Sequence, residues 1–232
     1  MHEKMTIQEI GDVFKTREAQ TNHALPESKY LGIRLDGRAF HTFTKQFDRP
    51  YSWEFMFSMN RAARTVIKEV LVNALFGYVQ SDEISVICDM ERLPFGGSTE
   101  KVLSLSASAA TAGFMQYHSD IKNSLVGLPL FDSRVFNIEF DEIESYLNWR
   151  RMDAFRNSIS SAARMLYSDK QLHGVSFKQR IDLLEGTKYE DLPNSYVWGR
   201  FFYDDEFSEA TFIEMKELLN KVSTDVDLRN SQ

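Results

Sequence analysis

Tyr78-Val79-Gln80-Ser81-Asp82-Glu83-Ile84-Ser85-Val86-Ile87 reads as two short apolar strands folded back on each other, with Ser81-Asp82-Glu83 as the tight polar connection. Asp82 falls at the hairpin tip. Working outward, the segment from Trp53 to Leu75 carries Met56, Met59, Ala63, Val66, Ile67, Val70, Leu71 and Ala74 at spacings of three and four, which predicts a long amphipathic helix with Ser52 as its N-cap. Before that helix, Tyr30 to Asp36 alternates, with Leu31, Ile33 and Leu35 on one side and Arg34 and Asp36 on the other, as in a half-buried strand. Beyond the hairpin, Gly96-Gly97-Ser98 leads into a helical pattern with Leu103, Ala107, Ala110, Phe114 and Tyr117 on its apolar side, and Leu130 to Ile138 supplies a further strand. The order is βαββαβ. Its natural closure is an α+β fold: an antiparallel ferredoxin-like, polymerase-palm-like sheet with two helices on one face.

The remaining chain reads as mainly helical: Glu142 to Trp149, Arg150 to Tyr167, and Ser176 to Glu185 opened by a Ser176/Gln179 capping box. Tyr196 to Tyr203 is expected to return as a strand or hairpin arm, and Ser208 to Val222 as a last helix. Residues 1–138 are thus expected to form the palm-like core and 139–232 a helical part packed on it, within one continuous domain.

Bulk properties set the boundaries of function. A chain of 232 residues with 43% hydrophobic content can bury a full core. Cys88 is its one cysteine, so an intrachain disulfide and a zinc site built on several cysteines are both excluded. No apolar run is long enough to cross a bilayer, and Met1-His2-Glu3-Lys4 does not open a signal peptide, so a cytoplasmic protein is expected. The net charge of −7 opposes indiscriminate coating of nucleic acid, which requires many phosphate-neutralising cations. Basic residues nevertheless concentrate between Arg150 and Arg180, with seven Lys/Arg against two Asp. That segment offers Arg150, Arg151, Arg156 and Lys170, with His173 beside them, as RNA contacts; the same charges also suit a solvated helix face.

The closure just described brings the ends of strands 30–36 and 78–80 side by side, placing Asp36 within reach of Asp82. Each segment alone is an ordinary polar turn. Together they form a pair of carboxylates suited to divalent cations, with the Gly37 carbonyl as a third oxygen, and hence to two-metal phosphoryl transfer with two Mg²⁺ ions. Glu83 adds a carboxylate, but neighbouring strand residues face opposite ways, so it is expected to tune the site or face solvent. Lys101, following Gly96-Gly97-Ser98, offers a positive side chain to phosphate oxygens. Arg150, Asp153 and Asn157 form a polar stripe on their helix, opposite a core stripe of Met152, Phe155, Ile159, Ala162 and Leu166.

Three motifs, Ile33-Arg34-Leu35-Asp36-Gly37-Arg38-Ala39-Phe40-His41, Gly77 through Ser85, and Trp149-Arg150-Arg151-Met152-Asp153-Ala154-Phe155-Arg156-Asn157-Ser158, resemble the tRNA-histidine guanylyltransferase family, in particular its bacterial, archaeal and phage-type guanylyltransferase-like members. Phe131 to Phe136 and Lys170 to Gly174 are weaker echoes. The resemblance covers roughly residues 10 to 203 and implies a palm fold that polymerises in the 3′-to-5′ direction at a tRNA 5′ end, using ATP and GTP or other NTPs as substrates. It implies Asp36, Gly37 and Asp82 as metal ligands, Glu83 as support for the acidic site, and Asp36, Gly37, Arg38, Ala39, Phe40, His41, Ser81, Asp82, Lys101 and Asn157 as nucleotide contacts. It also implies a homo-oligomer, tetramer or dimer.

Members that add an untemplated guanosine to tRNA-histidine carry His-Ile-Asn-Asn where this chain has Phe155, Arg156, Asn157 and Ser158, and a basic pair where it has Val197-Trp198 before Gly199. The implied role is therefore template-dependent repair of 5′-truncated tRNA. Untemplated guanosine addition is one alternative. A palm-fold nucleotide cyclase or dinucleotide synthase is another, and an RNA-binding module whose acidic turns are structural is a third.

Overall fold

The computed structural model describes residues 12, 13, 16, 17, 29–203 and 206–208. Its elements run β1 (Tyr30–Gly37), a single-turn helix α1 (Phe40–Phe43), α2 (Trp53–Thr65), β2 (Ala74–Gln80), β3 (Glu83–Asp89), α3 (Thr99–Asp120), β4 (Phe131–Ile138) and α4 (Phe140–Leu166). Three short helices follow, α5 (Asp169–Leu172), α6 (Phe177–Asp182) and α7 (Asn194–Val197), then β5 (Arg200–Tyr203) and β6 (Glu206–Ser208). The strands form one sheet in the order β4-β1-β3-β2-β5-β6, and every neighbouring pair is antiparallel. The expected α+β sheet is therefore present, extended past β2 by two further strands.

The alternation of β1 fixes its two faces. Leu31, Ile33 and Leu35 are fully buried and join Ile84, Val86 and Val79 against Met59, Ala62 and Ala63 of α2 and Val102, Ala110 and Phe114 of α3. The opposite face carries a second core of Tyr30, Tyr78, Ile87, Ile138 and Phe201, covered by Ile143 and Leu147 from the first half of α4. At about 25 cal/mol per Å² of apolar surface removed from water, each fully buried Leu or Ile contributes about 1.5–3 kcal/mol.

Several details depart from the sequence pattern. Helix α2 ends at Thr65 and passes into a π-turn over Val66–Val70, whereas a single helix to Leu75 was expected; Ser52 caps its start, its Oγ accepting from Phe55 N at 3.3 Å. On α3 the buried side is Val102, Ser106, Ala110, Gly113, Phe114 and His118, in place of the Leu103, Ala107 and Tyr117 expected beside Ala110 and Phe114. A Cβ at Gly113 would run into the Thr65 side chain and the Arg61 carbonyl, so small residues let the two helices approach closely. The segments expected as two helices, 142–149 and 150–167, form one continuous α4. The capping box at Ser176/Gln179 opens α6, and Asn194–Val197 is helical, with the returning strand confined to Arg200–Tyr203. The last helix expected from Ser208 to Val222 lies outside the described residues apart from Ser208, which ends β6.

Candidate active site

β1 ends at Asp36-Gly37, and the β2–β3 hairpin turns through Ser81-Asp82, since Gln80 and Glu83 are register partners. Ser81 takes the left-handed backbone conformation at φ 45°, which closes this two-residue turn. Gly37 N–H donates to the Asp82 carbonyl at 3.0 Å, and Arg38 N–H to the Leu130 carbonyl at 2.8 Å. The tip of the hairpin is thereby fastened to the end of β1 through the main chain.

Gly37 is required by packing. A Cβ there would overlap the Phe40 ring, which the left-handed Ala39 (φ 57°) swings under the strand end. Phe40 is 2% exposed and sits among Phe43, Phe131, Phe114 and Phe55, with ring centroids between 4.9 and 6.1 Å away. This aromatic plug holds the loop that follows Asp36.

The three carboxylates at this margin have different surroundings. Asp36 and Glu83 are directly opposite on β1 and β3. Glu83 is 5% exposed and its two oxygens accept from Arg150 Nε and Nη2 at 2.7 Å each, with Arg34 Nε at 3.9 Å. Burial raises its carboxyl pKa above the ordinary glutamate range, against the pull of Arg150 and Arg34. Asp82 is raised as well, first by burial and then by the negative charge of Asp36, while the Ser81 hydroxyl and His41 oppose the rise. Among the described residues neither Asp36 nor Asp82 has a Lys or Arg ion-pair partner. With the Gly37 carbonyl, these carboxylates would supply oxygen donors of the kind Mg²⁺ prefers.

A cleft of about 460 Å³ opens beside Asp82. Its floor is Gln80, Ser81 and Asp82, one wall is the segment from Phe40 to Met56, and the other is α4 through Ala154, Asn157, Ser158, Ser161 and Arg164, closed by Tyr196 and Arg200. Arg200 is buried and ties β5 to α2, donating to Asn60 Oδ1 at 2.6 Å and to the Ser195 carbonyl at 2.9 Å.

Of the residues singled out from the sequence, Phe40, His41, Ser81, Asp82 and Asn157 line this cleft. Asp36, Gly37, Arg38 and Ala39, which precede Phe40 in the chain, do not line it, and neither does Lys101, which is exposed in the first turn of α3. Arg150 and Arg151 do not have the exposure expected of RNA contacts, at 7% and 5%. Arg150 is bound to Glu83 and Asp153, and Arg151 lies over the Trp198 ring at 5.5 Å, so neither guanidinium is presented to a phosphate backbone. Arg156, Lys170 and His173 are exposed. Gln80, Arg49, Tyr51, Ser160, Arg164 and Tyr196 line the cleft and carry no sequence signal as a group, because five separate segments bring its lining together.

A palm-type antiparallel sheet, with two unneutralised aspartates fastened together at its margin beside a nucleotide-sized cleft, defines a nucleotidyltransferase. The family model described as tRNAHis guanylyltransferase matches residues 12–139, and the chain belongs to that family. A probable tRNA(His) guanylyltransferase of Dictyostelium discoideum is 31% identical over 204 residues, spanning 80% of this chain and 79% of that protein. Among solved structures, a bacterial tRNA(His) guanylyltransferase-like protein in complex with ATP superposes with a TM-score of 0.79 at 30% identity, covering 90% of this chain and 96% of that one. A bacterial guanylyltransferase-like protein in complex with GTP gives 0.75 at 27% identity, with 92% and 98% coverage.

Proposed function

We propose that this chain is a template-dependent 3′-to-5′ nucleotidyltransferase that adds NTPs to the 5′ end of tRNA, restoring molecules that have lost their first nucleotides. The observation that carries the reading is the main-chain bond that holds the Asp36-Gly37 strand end against Asp82, which lines a cleft large enough for a nucleotide. The ATP- and GTP-bound bacterial structures support the substrate class.

In this reading a tRNA 5′-monophosphate first attacks the α-phosphorus of ATP, releasing pyrophosphate and leaving AMP joined to the 5′ end. The 3′-hydroxyl of the incoming NTP then attacks the 5′ phosphorus, and AMP departs. A 5′-triphosphate end is attacked directly, with pyrophosphate leaving. Asp36, Asp82 and the Gly37 carbonyl would hold two Mg²⁺ ions, which supply charge neutralisation on the phosphoryl oxygens and acidify the attacking hydroxyl. Glu83, engaged by Arg150, keeps the floor of the hairpin rigid. The cleft walls orient the nucleotide, a contribution that can supply several powers of ten in rate.

Template dependence is supported by the contact between Phe155 and Trp198. These two residues stand where untemplated enzymes are expected to carry a histidine and a basic residue, and here their rings stack on each other. The polar pair is replaced by an internal contact. The test is to incubate the protein with Mg²⁺, ATP, GTP and an end-labelled tRNA lacking its first nucleotide, varying the opposing base. Extension only by the base that pairs is the expected result; guanosine addition whatever the opposing base would defeat the proposal.

A further inference from the structure

Gln80 is the last residue of β2, the register partner of Glu83, and only two positions before Asp82 in the chain. Its side chain lines the cleft, yet the residue is 4% exposed and its Oε1 is shut off from solvent without a hydrogen-bond partner. A buried amide oxygen left unmatched is uncommon in folded proteins, and the cause is usually a missing ligand, a missing water or strain. Beyond it Ser81 closes the turn in the left-handed region, and Asp82 is buried within reach of the charge of Asp36. A leucine at position 80 would serve the strand at least as well.

The chemistry narrows the choice of ligand atom. Gln80 and Asp82 line the same cleft on either side of the turn residue Ser81. Phosphate oxygens have no hydrogen to give to an amide oxygen. Ribose hydroxyls do, and their oxygens can accept from the amide nitrogen in return. The terminal amide torsion is broad and nearly two-fold, so a half-turn exchanges the oxygen and nitrogen at little cost.

Resting on the nucleotide-binding reading above, we infer that Gln80 is a ribose-contacting residue: its amide oxygen accepts a hydrogen bond from a sugar hydroxyl of the nucleotide held beside Asp82, so that the site selects ribonucleotides over deoxyribonucleotides. The contact acts on binding, with no part in the bond-making step.

The experiment compares Kd values for ATP, 2′-deoxy-ATP and 3′-deoxy-ATP, in Mg²⁺, for the wild-type chain, Gln80→Leu and Gln80→Met, alongside their melting temperatures. The wild type should bind ATP about tenfold more tightly than one of the deoxy analogues, the value of one good hydrogen bond, and the analogue that loses affinity identifies the hydroxyl. Both variants should lose that preference and melt no lower than the wild type. A preference kept by both variants, no preference in the wild type, or a marked loss of melting temperature in both would overturn the assignment, the last by making the amide a prop for the fold. If the wild type binds deoxy analogues and ATP alike, nucleotide binding stands and this inference alone falls; if it binds none of them, the nucleotide reading falls and takes the inference with it.

Discussion

Phe155 lies nearly flat on Trp198, their ring centroids 4.4 Å apart and their planes 17° from parallel, with Phe177 edge-on to Phe155 at 5.2 Å. The pair joins α4 to the end of α7, two residues before β5, and Arg151 lies over the same indole ring. Stacked aromatic pairs are worth about 0.5–1.5 kcal/mol beyond the area they bury. Phe155→Ala and Trp198→Ala should each destabilise the protein by about 2–4 kcal/mol, with a coupling of about 1 kcal/mol in a double-mutant cycle followed by urea unfolding. Phe155→His should weaken the stack without conferring untemplated guanosine addition, because Trp198 still fills the neighbouring position.

Asp82 combines burial with the nearby charge of Asp36, and its pKa is raised. A carboxyl whose pKa is higher folded than unfolded adds stability below the unfolded value, about 3.9, and that stability is lost as pH rises through the folded value. At neutral pH, Asp82→Asn should therefore raise the melting temperature of the metal-free protein while abolishing nucleotide transfer. Added Mg²⁺ should raise the melting temperature of the wild type and leave Asp82→Asn nearly unchanged.

Glu83 and Arg150 form a buried pair with two hydrogen bonds. Removing one partner strands the other charge, so Glu83→Ala should cost about 3–5 kcal/mol, whereas the double replacement Glu83→Leu, Arg150→Met should recover most of that stability. Equilibrium unfolding measures both. A single variant as stable as the wild type would show that the pair is not holding the hairpin floor.

His118 is 2% exposed, with Nε2 2.8 Å from Ser58 Oγ and Nδ1 3.2 Å from Glu54 Oε1. Burial lowers its pKa, and Glu54 only partly opposes this. The folded protein then binds fewer protons than the unfolded chain, so the stability tied to His118 is present above about pH 6.5 and declines as pH falls below it. His118→Gln, which cannot charge, should flatten that decline in thermal melts between pH 7 and pH 5.

Gly37→Ala places a methyl group in the Phe40 ring. Overpacking of this kind costs about 1–3 kcal/mol. Because the displaced ring supports the loop after Asp36, the variant should lose transfer activity by more than its melting temperature alone would suggest, as read from initial rates well below the melt.

The centre of the sheet was legible because Leu31, Ile33 and Leu35 announce the buried face of β1 and the polar turn at Ser81-Asp82 announces an antiparallel return, whereas β3, buried at every position, carries no two-residue period. The nearness of the Asp36-Gly37 and Ser81-Asp82 segments was legible for the same reason, since the antiparallel closure brings the end of β1 to the β2–β3 turn. The burial of α3 was misphased because close helix contact selects small residues, Ser106 and Gly113, that carry no hydrophobic signal. Arg150 and Arg151 read as surface because their partners, Glu83 and Trp198, are distant in sequence. The cleft lining was hidden for a related reason: the stretch from Thr44 to Ser52 has no period, and its neighbours on α4 become a wall only after the helix has crossed the sheet.

The amide of Gly37 and the carbonyl of Asp82 fix how far apart two acidic strand ends can stand. Backbone atoms are common to every amino acid, so that separation survives any change of side chain that leaves the turn intact. Side chains beneath the sheet can therefore change widely while the spacing of these two strand ends stays constant.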